Sequence, residues 1–139
     1  MNYVRIFILV TLLSFFYGCS DNAQVNIFDK KLAKTKIECM KLLVFPPDLE
    51  VQTTLEKLYS FDESCSVKLE VSLKRGIVCN SNQNSDKKIL SNFPTSYLRM
   101  QISKDKTLFY SYYIDLKDAV SAKDIESAFK KIQKDLIFE

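Results

Sequence analysis

The sequence contains no histidine and no tryptophan, and only two of its 139 residues are glycine. Histidine is the commonest general base and the commonest metal ligand, so its absence removes the usual centre of both kinds of site. Phosphate-binding loops need closely spaced glycines, and the nucleophile elbow of hydrolases needs Gly-x-Ser-x-Gly; the chain has neither pattern. We therefore expect no cofactor and none of the common catalytic motifs.

Carboxylates are the remaining candidates for catalysis. Asp62 with Glu63, or Asp115 with Asp118, could be nominated as the acidic pair of a glycosidase. Neither pair has any support beyond its presence in the sequence. We predict that the protein is not an enzyme, and a hydrolase that uses acidic residues is the weakest alternative.

Residues 1–18 have the composition of an export signal. Arg5 and the amino terminus supply the positive start, and the apolar stretch 6–17 is interrupted only by Thr11 and Ser14. About twelve helical residues span roughly 18 Å, against roughly 30 Å of bilayer hydrocarbon. The stretch is therefore predicted to be a targeting segment rather than a transmembrane helix.

The apolar stretch ends in Phe16, Tyr17, Gly18 and Cys19, which resembles the lipobox of bacterial lipoproteins. In that family the cysteine thiol receives a diacylglyceryl group and cleavage follows just before it; Phe16 and Tyr17 replace the Leu and the small residue usual there. The resemblance covers only this segment. It implies a lipid anchor on Cys19 and, because Ser20 follows, the outer membrane. The alternative is ordinary secretory cleavage nearby, which would release a soluble periplasmic or secreted protein.

Cleavage after residue 18 would leave about 120 residues, enough for one domain with one core. We assign residues 19–24 to the lipidated cysteine and a short tether, and 25–139 to a single domain. The net charge of the chain is +3, and removing Arg5 lowers it to +2. That charge gives no electrostatic footprint for nucleic acid. The expected partners are the membrane, through the lipid on Cys19, and an envelope protein.

Helical spacing of apolar residues predicts a first helix over residues 25–43. Its lysines could contact anionic headgroups, although they are also typical of the solvated side of an amphipathic helix. These lysines are Lys30, Lys31, Lys34 and Lys41. Pro46 and Pro47 end this helix, and Asp48 is placed to cap a second one that runs to about residue 60.

Two hairpins are predicted next. Residues 66–74 alternate apolar and polar, and Lys74-Arg75-Gly76 suits a turn that leads back through residues 77–79, with Leu73 opposite Ile77 and Val71 opposite Cys79. Residues 80–88 read as an exposed loop. Alternation over residues 97–102 and 108–115, around a turn at 104–106, predicts the second hairpin. Ser121 and Asp124 then form a capping box for a C-terminal helix.

The predicted fold is α+β: an antiparallel meander of about four strands, with two N-terminal helices and one C-terminal helix. In the second hairpin, Tyr97, Arg99, Phe109 and Tyr113 are predicted to lie on the side opposite the core. Exposed aromatic and arginine side chains dominate protein interfaces. The alternative is that a helix or loop covers this side as well.

The mature chain contains Cys39, Cys65 and Cys79, an odd number in an oxidising compartment. No Cys-x-x-Cys pair and no histidine exist to complete a zinc site, so none is expected. The predicted first hairpin places Cys65 roughly 20 Å from Cys79, too far for a bond. Cys39 is therefore expected to pair with either Cys65 or Cys79.

The function predicted from these features is that of a membrane-anchored, non-enzymatic envelope lipoprotein that acts through protein–protein interaction, as an accessory part of a secretion, surface-assembly or exclusion system. A lipoprotein module that binds a small ligand or the cell wall, in a pocket between sheet and helices, is the alternative.

Overall fold

A mixed sheet of five strands is the centre of the fold. The structure, a computed structural model, describes residues 23–77 and 94–138. In chain order the elements are β1 (Gln24–Ile27), α1 (Lys30–Ala33), β2 (Lys41–Val44), α2 (Leu49–Leu58), β3 (Val67–Lys74), β4 (Ser96–Lys104), β5 (Thr107–Leu116) and α3 (Ala122–Asp135). The strand order is β1-β5-β4-β3-β2. The α+β class is confirmed, but the predicted four-stranded antiparallel meander is not, because β2 and β3 are parallel.

The second predicted hairpin is confirmed. β4 and β5 pair antiparallel, with Met100 opposite Tyr112 and Leu98 opposite Ile114. Asp105 and Lys106 form the connection and have φ angles of 48° and 70°. Positive φ at both central residues is the signature of a type I′ turn, whose twist matches that of the strands.

The predicted helix over residues 25–43 is wrong. β1 pairs antiparallel with β5, and β2 pairs parallel with β3. Between them, the Asp29 carboxylate caps α1 by accepting from the amides of Lys31 and Leu32 at 2.8 and 3.0 Å. The apolar residues of this segment are three or four apart, as in a helix. However, strands distant in the sequence supply hydrogen bonds to both of its ends, and this tertiary pairing overrides the local spacing. Lys30, Lys31, Lys34 and Lys41 therefore do not share one helical face.

The predicted first hairpin is also wrong beyond its first strand. Val71 of β3 lies between Val44 of β2 and Met100 of β4, so both sides of the strand are occupied at this point. Leu73 pairs with Leu98 rather than with Ile77. The amide of Ile77 instead donates to the Thr95 carbonyl at 2.6 Å. Gly76 adopts a left-handed conformation, with φ of 66°, which glycine tolerates without strain. Cys79 and the predicted loop 80–88 lie outside the described residues.

The helices predicted from Asp48 and Ser121 are confirmed. The Asp48 carboxylate accepts from the Val51 amide at 3.1 Å, and Ser121 with Asp124 forms the capping box of α3. Val51 and Leu55 of α2 are fully buried with the apolar stripe of α3, and both helices pack on the same side of the sheet. That side faces the core. The core side chains supplied by α3 are Ile125, Ala128, Phe129 and Ile132.

A disulfide bond joins Cys39 to Cys65, with the two Cα atoms 5.8 Å apart. This is one of the two predicted pairings. The predicted hairpin register that excluded a bond between Cys65 and Cys79 is wrong, since Leu73 pairs with Leu98. The bond connects the residues that precede two neighbouring parallel strands, β2 and β3.

Arg75 connects the end of β3 to both larger helices. Its guanidinium forms an ion pair with Asp48 and another with Glu50, the latter at 3.2 Å, and its Nε donates to the Val120 carbonyl at 3.3 Å. Burial alone would raise the pKa of Asp48. The hydrogen bonds from Arg75 and the Val51 amide outweigh burial and hold that pKa below its ordinary 3.8.

Replacing Asp48 should separate its two roles. Asp48→Ala removes both the helix cap and the ion pair, and we expect a loss of about 1–2 kcal/mol in the free energy of unfolding. Asp48→Asn keeps a capping oxygen and should lose less. Because the folded pKa of Asp48 is depressed, the charge contribution is present above about pH 4 and is lost as the pH falls through the folded pKa. Urea unfolding at pH 7 and pH 3 measures both effects; equal losses for the two variants at pH 7 would contradict the capping role.

Candidate functional site

The candidate site is the side of the sheet that faces away from the helices, which we name the open face. Its centre is formed by β3, β4 and β5. Across these strands Ser72 pairs with Arg99, and Arg99 pairs with Tyr113. Arg99 is exposed and Tyr113 is half-buried. In the part of the chain that the structure describes, no helix covers this face. Its side chains from the three central strands include Lys68, Glu70, Ser72, Tyr97, Arg99, Gln101, Tyr113 and Asp115.

Tyr97 and Tyr113 form a stacked pair at the centre of the open face. Their ring centroids are 5.7 Å apart and their planes meet at 26°. The Tyr113 hydroxyl donates to Asp115 Oδ1 at 2.6 Å, which raises the pKa of Tyr113 to about 12. The phenol is therefore protonated at neutral pH and stays bonded to the carboxylate. Mutual stacking and this hydrogen bond fix both rings before any partner arrives, which lowers the entropic cost of binding.

Arg99 adds a cationic group beside these rings. Its Nε donates to Ser72 Oγ at 3.0 Å, which directs the guanidinium along the sheet surface. Its other guanidinium nitrogens make no hydrogen bond with a described residue, so they can contact a carboxylate or a ring of another molecule. On the same face, Lys68 donates to Glu70 at 2.9 Å, and these two charges neutralise each other.

Phe109 does not belong to the open face, contrary to the sequence prediction. It is 2% exposed and packs in the core, next to Tyr110. A register shift between Ile102 and Ser103 leaves Phe109 without a partner on β4, as in a β-bulge. The extra residue breaks the alternation, so Phe109 and Tyr110 are both buried although they are consecutive.

Leu43 of β2 is an open-face residue that the sequence reasoning missed. It lies opposite Glu70 in the register and is 44% exposed. The predicted helix extends to residue 43, so it hides the strand face at this position. No alternation is present in the sequence there, because Leu42, Leu43 and Val44 are all apolar.

Two of the nominated carboxylates, Asp62 and Asp115, have hydrogen-bond partners close to them in the sequence. Hydrogen bonds from the Ser64 hydroxyl and amide hold the pKa of Asp62 below 3.8, whereas a general acid needs a raised pKa. Asp115 accepts from Tyr113, and Asp118 lies in the exposed connection before α3. Among residues 23–77 and 94–138, no group of three or more Cys, Asp or Glu side chains is placed to hold a metal ion.

Two clefts lie on the helical side of the sheet. The first, which we name the β2–α2 cleft, has a volume of about 360 Å³ and includes Leu42, Tyr59, Phe61, Glu56 and Glu63 in its lining. The second, of about 460 Å³, lies between β5 and α3. Its lining includes Ala23, Tyr112, Ile114, Lys123, Asp124, Ser127 and Lys131.

The fold and site define the chain as a small α+β protein with a one-sided mixed sheet and an exposed aromatic face. No protein-family model, curated protein or solved structure matches it. Within the described ranges, no helix is long and apolar enough to cross a membrane.

Proposed function

We propose that this chain is a membrane-anchored lipoprotein of the bacterial envelope that acts without catalysis, by binding another envelope protein through the open face. The observation that carries the proposal is the stacked Tyr97–Tyr113 pair, 5.7 Å between centroids, beside exposed Arg99. Tyrosine and arginine are the side chains that contribute most at protein interfaces. Their display on the side of the sheet away from the helices supports binding to a second protein.

The position of the open face relative to the proposed anchor supports the same function. Gln24, the first residue of β1, pairs with Tyr113. At about 3.3–3.6 Å per residue, the chain from Cys19 to Gln24 spans at most about 18 Å. If Cys19 carries lipid, the partner of the open face lies within a few nanometres of the membrane surface. Tethering of this kind raises the effective concentration of two membrane-bound proteins for each other.

Site-directed photo-crosslinking in intact cells tests this proposal. A photo-reactive amino acid replaces Gln101 on the open face or, as the matched control, the exposed Gln133 on α3. We expect a crosslinked protein adduct from position 101 and not from 133. The double substitution Tyr97→Ala with Tyr113→Ala should reduce that adduct at least about tenfold, because it removes the aromatic anchors. Leu49→Ala, which changes a 75% exposed side chain outside the open face, should leave it unchanged.

The anchor is tested in the same experiment. Cys19→Ser should abolish labelling by a clickable fatty acid and should weaken the adduct from position 101, because the tether is lost. The absence of an adduct at position 101 would overturn the proposal, and so would an adduct that persists in the double tyrosine variant. An unlabelled wild-type protein would overturn the lipoprotein part alone.

A further inference from the structure

The outer edge of β2 is open in the part of the chain that the structure describes. β2 is the last strand of the sheet and pairs there only with β3. The Phe45 amide donates to the Val71 carbonyl at 2.9 Å, so the backbone groups of Phe45 point toward β3. Because successive residues of a strand direct their backbone groups to opposite sides, those of Leu42 and Val44 point outward. Such groups are a template for pairing with another strand.

The side chains of these same two residues line the β2–α2 cleft. Leu42 and Val44 form one wall, and Tyr59 and Phe61 provide aromatic surface in the same cleft. A strand added beside β2 would place alternate side chains on the helical side of the sheet, over the cleft. Backbone pairing and side-chain recognition therefore converge at one place.

The negative charge of the cleft favours a basic side chain in the added strand. Glu56 and Glu63 line it, and none of the described residues in its lining is a lysine or an arginine. The Gln52 amide donates to Glu56 Oε1 at 2.8 Å and orients that carboxylate. A lysine or arginine can lay its apolar stem on the aliphatic and aromatic wall while its charged end reaches these carboxylates.

On the opposite side of β2, Lys41 is followed by two exposed apolar side chains. Leu43 and Phe45 are 44% and 68% exposed. The side chains of an added strand that point away from the cleft would lie next to Leu43. Apolar side chains at those positions would cover it.

We propose that the β2 edge and the β2–α2 cleft bind an extended segment of a partner protein, in which basic side chains alternate with apolar ones. The segment adds a strand to the sheet and directs its basic side chains toward Glu56 and Glu63. This inference goes beyond the proposed function, because it concerns the edge of β2 and the cleft on the helical side, and it requires neither lipid nor the Tyr97–Tyr113 pair.

Fluorescence anisotropy with synthetic peptides tests the inference on the purified mature protein with its disulfide intact. The probe is Thr-Lys-Val-Lys-Val-Lys-Thr, compared with Thr-Glu-Val-Glu-Val-Glu-Thr, both with blocked ends. We expect the basic peptide to bind at least about tenfold more tightly than the acidic one, because opposite charges favour the pairing. The double variant Glu56→Lys with Glu63→Lys should reverse this preference. The matched control, Asp118→Lys with Glu126→Lys, makes the same charge change away from the cleft and should retain it.

Backbone pairing is tested without changing the protein. A basic peptide that is N-methylated at its valines lacks the two central donors along one edge, and we expect it to bind about tenfold more weakly when that edge faces β2. Methylation at the lysines, tested separately, examines the other edge. Equal binding of acidic and basic peptides would overturn the inference, as would full binding of both methylated forms. Dimerisation of the protein that excludes the basic peptide would also overturn it, since a second copy would then occupy the edge. The crosslink from Gln101 reports on the other surface and should be unchanged in the Glu56 and Glu63 variant.

Discussion

Phe129→Ala should lower the free energy of unfolding by about 3–5 kcal/mol, the range for truncation of a fully buried phenylalanine. Phe129 is 0% exposed. Its ring centroid lies 6.1 Å from that of Tyr59, 6.3 Å from that of Phe61 and 6.3 Å from that of Phe138. One side chain of α3 thus contacts aromatic residues from the end of α2, from the loop before β3 and from the carboxyl-terminal segment. Its removal leaves a cavity that these separate segments cannot close together.

Urea unfolding followed by circular dichroism measures this effect, because the chain has no tryptophan for fluorescence. Phe28→Ala is the matched control, since that ring is 60% exposed, and its loss should stay within about 0.5 kcal/mol. Phe129→Leu, which leaves a smaller cavity, should fall between the two. Similar losses for Phe129→Ala and Phe28→Ala would show that the aromatic cluster does not hold α3 on the sheet. Domains of this size have a free energy of unfolding of only about 5–15 kcal/mol. If the wild-type value lies near the lower limit, Phe129→Ala should be partly unfolded at 37 °C.

The elements that the sequence predicts correctly are those whose signals are local. α3 has both a capping box and an apolar stripe within its own residues. β4 and β5 are nine and ten residues long, and they are joined by a two-residue turn, so alternation and turn position agree. That hairpin alone predicts the part of the open face that contains Tyr97, Arg99 and Tyr113.

The elements that were missed depend on partners far away in the sequence. β1 and β2 have four residues each, and β1 gains its hydrogen bonds from β5. Such short strands have no detectable period of their own, and the lysines and apolar residues between them imitate an amphipathic helix. The parallel pairing of β2 and β3 requires the crossover through α2, and a helix that extends to residue 43 is incompatible with that pairing.

Phe109 illustrates a different limit. Its neighbours alternate as a regular strand should, and nothing in the local sequence indicates that one residue is extra. The bulge follows from matching the tight turn at Asp105 and Lys106 to the longer pairing of β4 with β5. Alternation therefore predicts the exposed face correctly at the end of the hairpin that is far from the turn, where Tyr97 and Tyr113 lie.

Removal of the Cys39–Cys65 bond should lower the free energy of unfolding by about 3.5 kcal/mol. The bond closes a loop with a sequence separation of 26 residues that contains β2 and α2. In the chain-entropy account, opening a loop of that length increases the freedom of the unfolded chain by this amount. β2 pairs only with β3 among the described strands, so we expect its amides to lose hydrogen-exchange protection before those of β4 and β5.

The double variant Cys39→Ala with Cys65→Ala tests this by urea unfolding and hydrogen exchange. Cys79→Ala is the control, since it leaves the observed bond in place and should keep the wild-type midpoint. Treating the wild type with a reductant should reproduce the double variant, which separates the loss of the bond from the loss of the sulfur atoms. A midpoint that neither the double variant nor reduction changes would contradict the stabilising role. β2 also forms one wall of the β2–α2 cleft, so the reduced protein should bind the basic peptide less tightly than the oxidised protein. The disulfide would then hold the β2 edge in place as well as stabilise the fold.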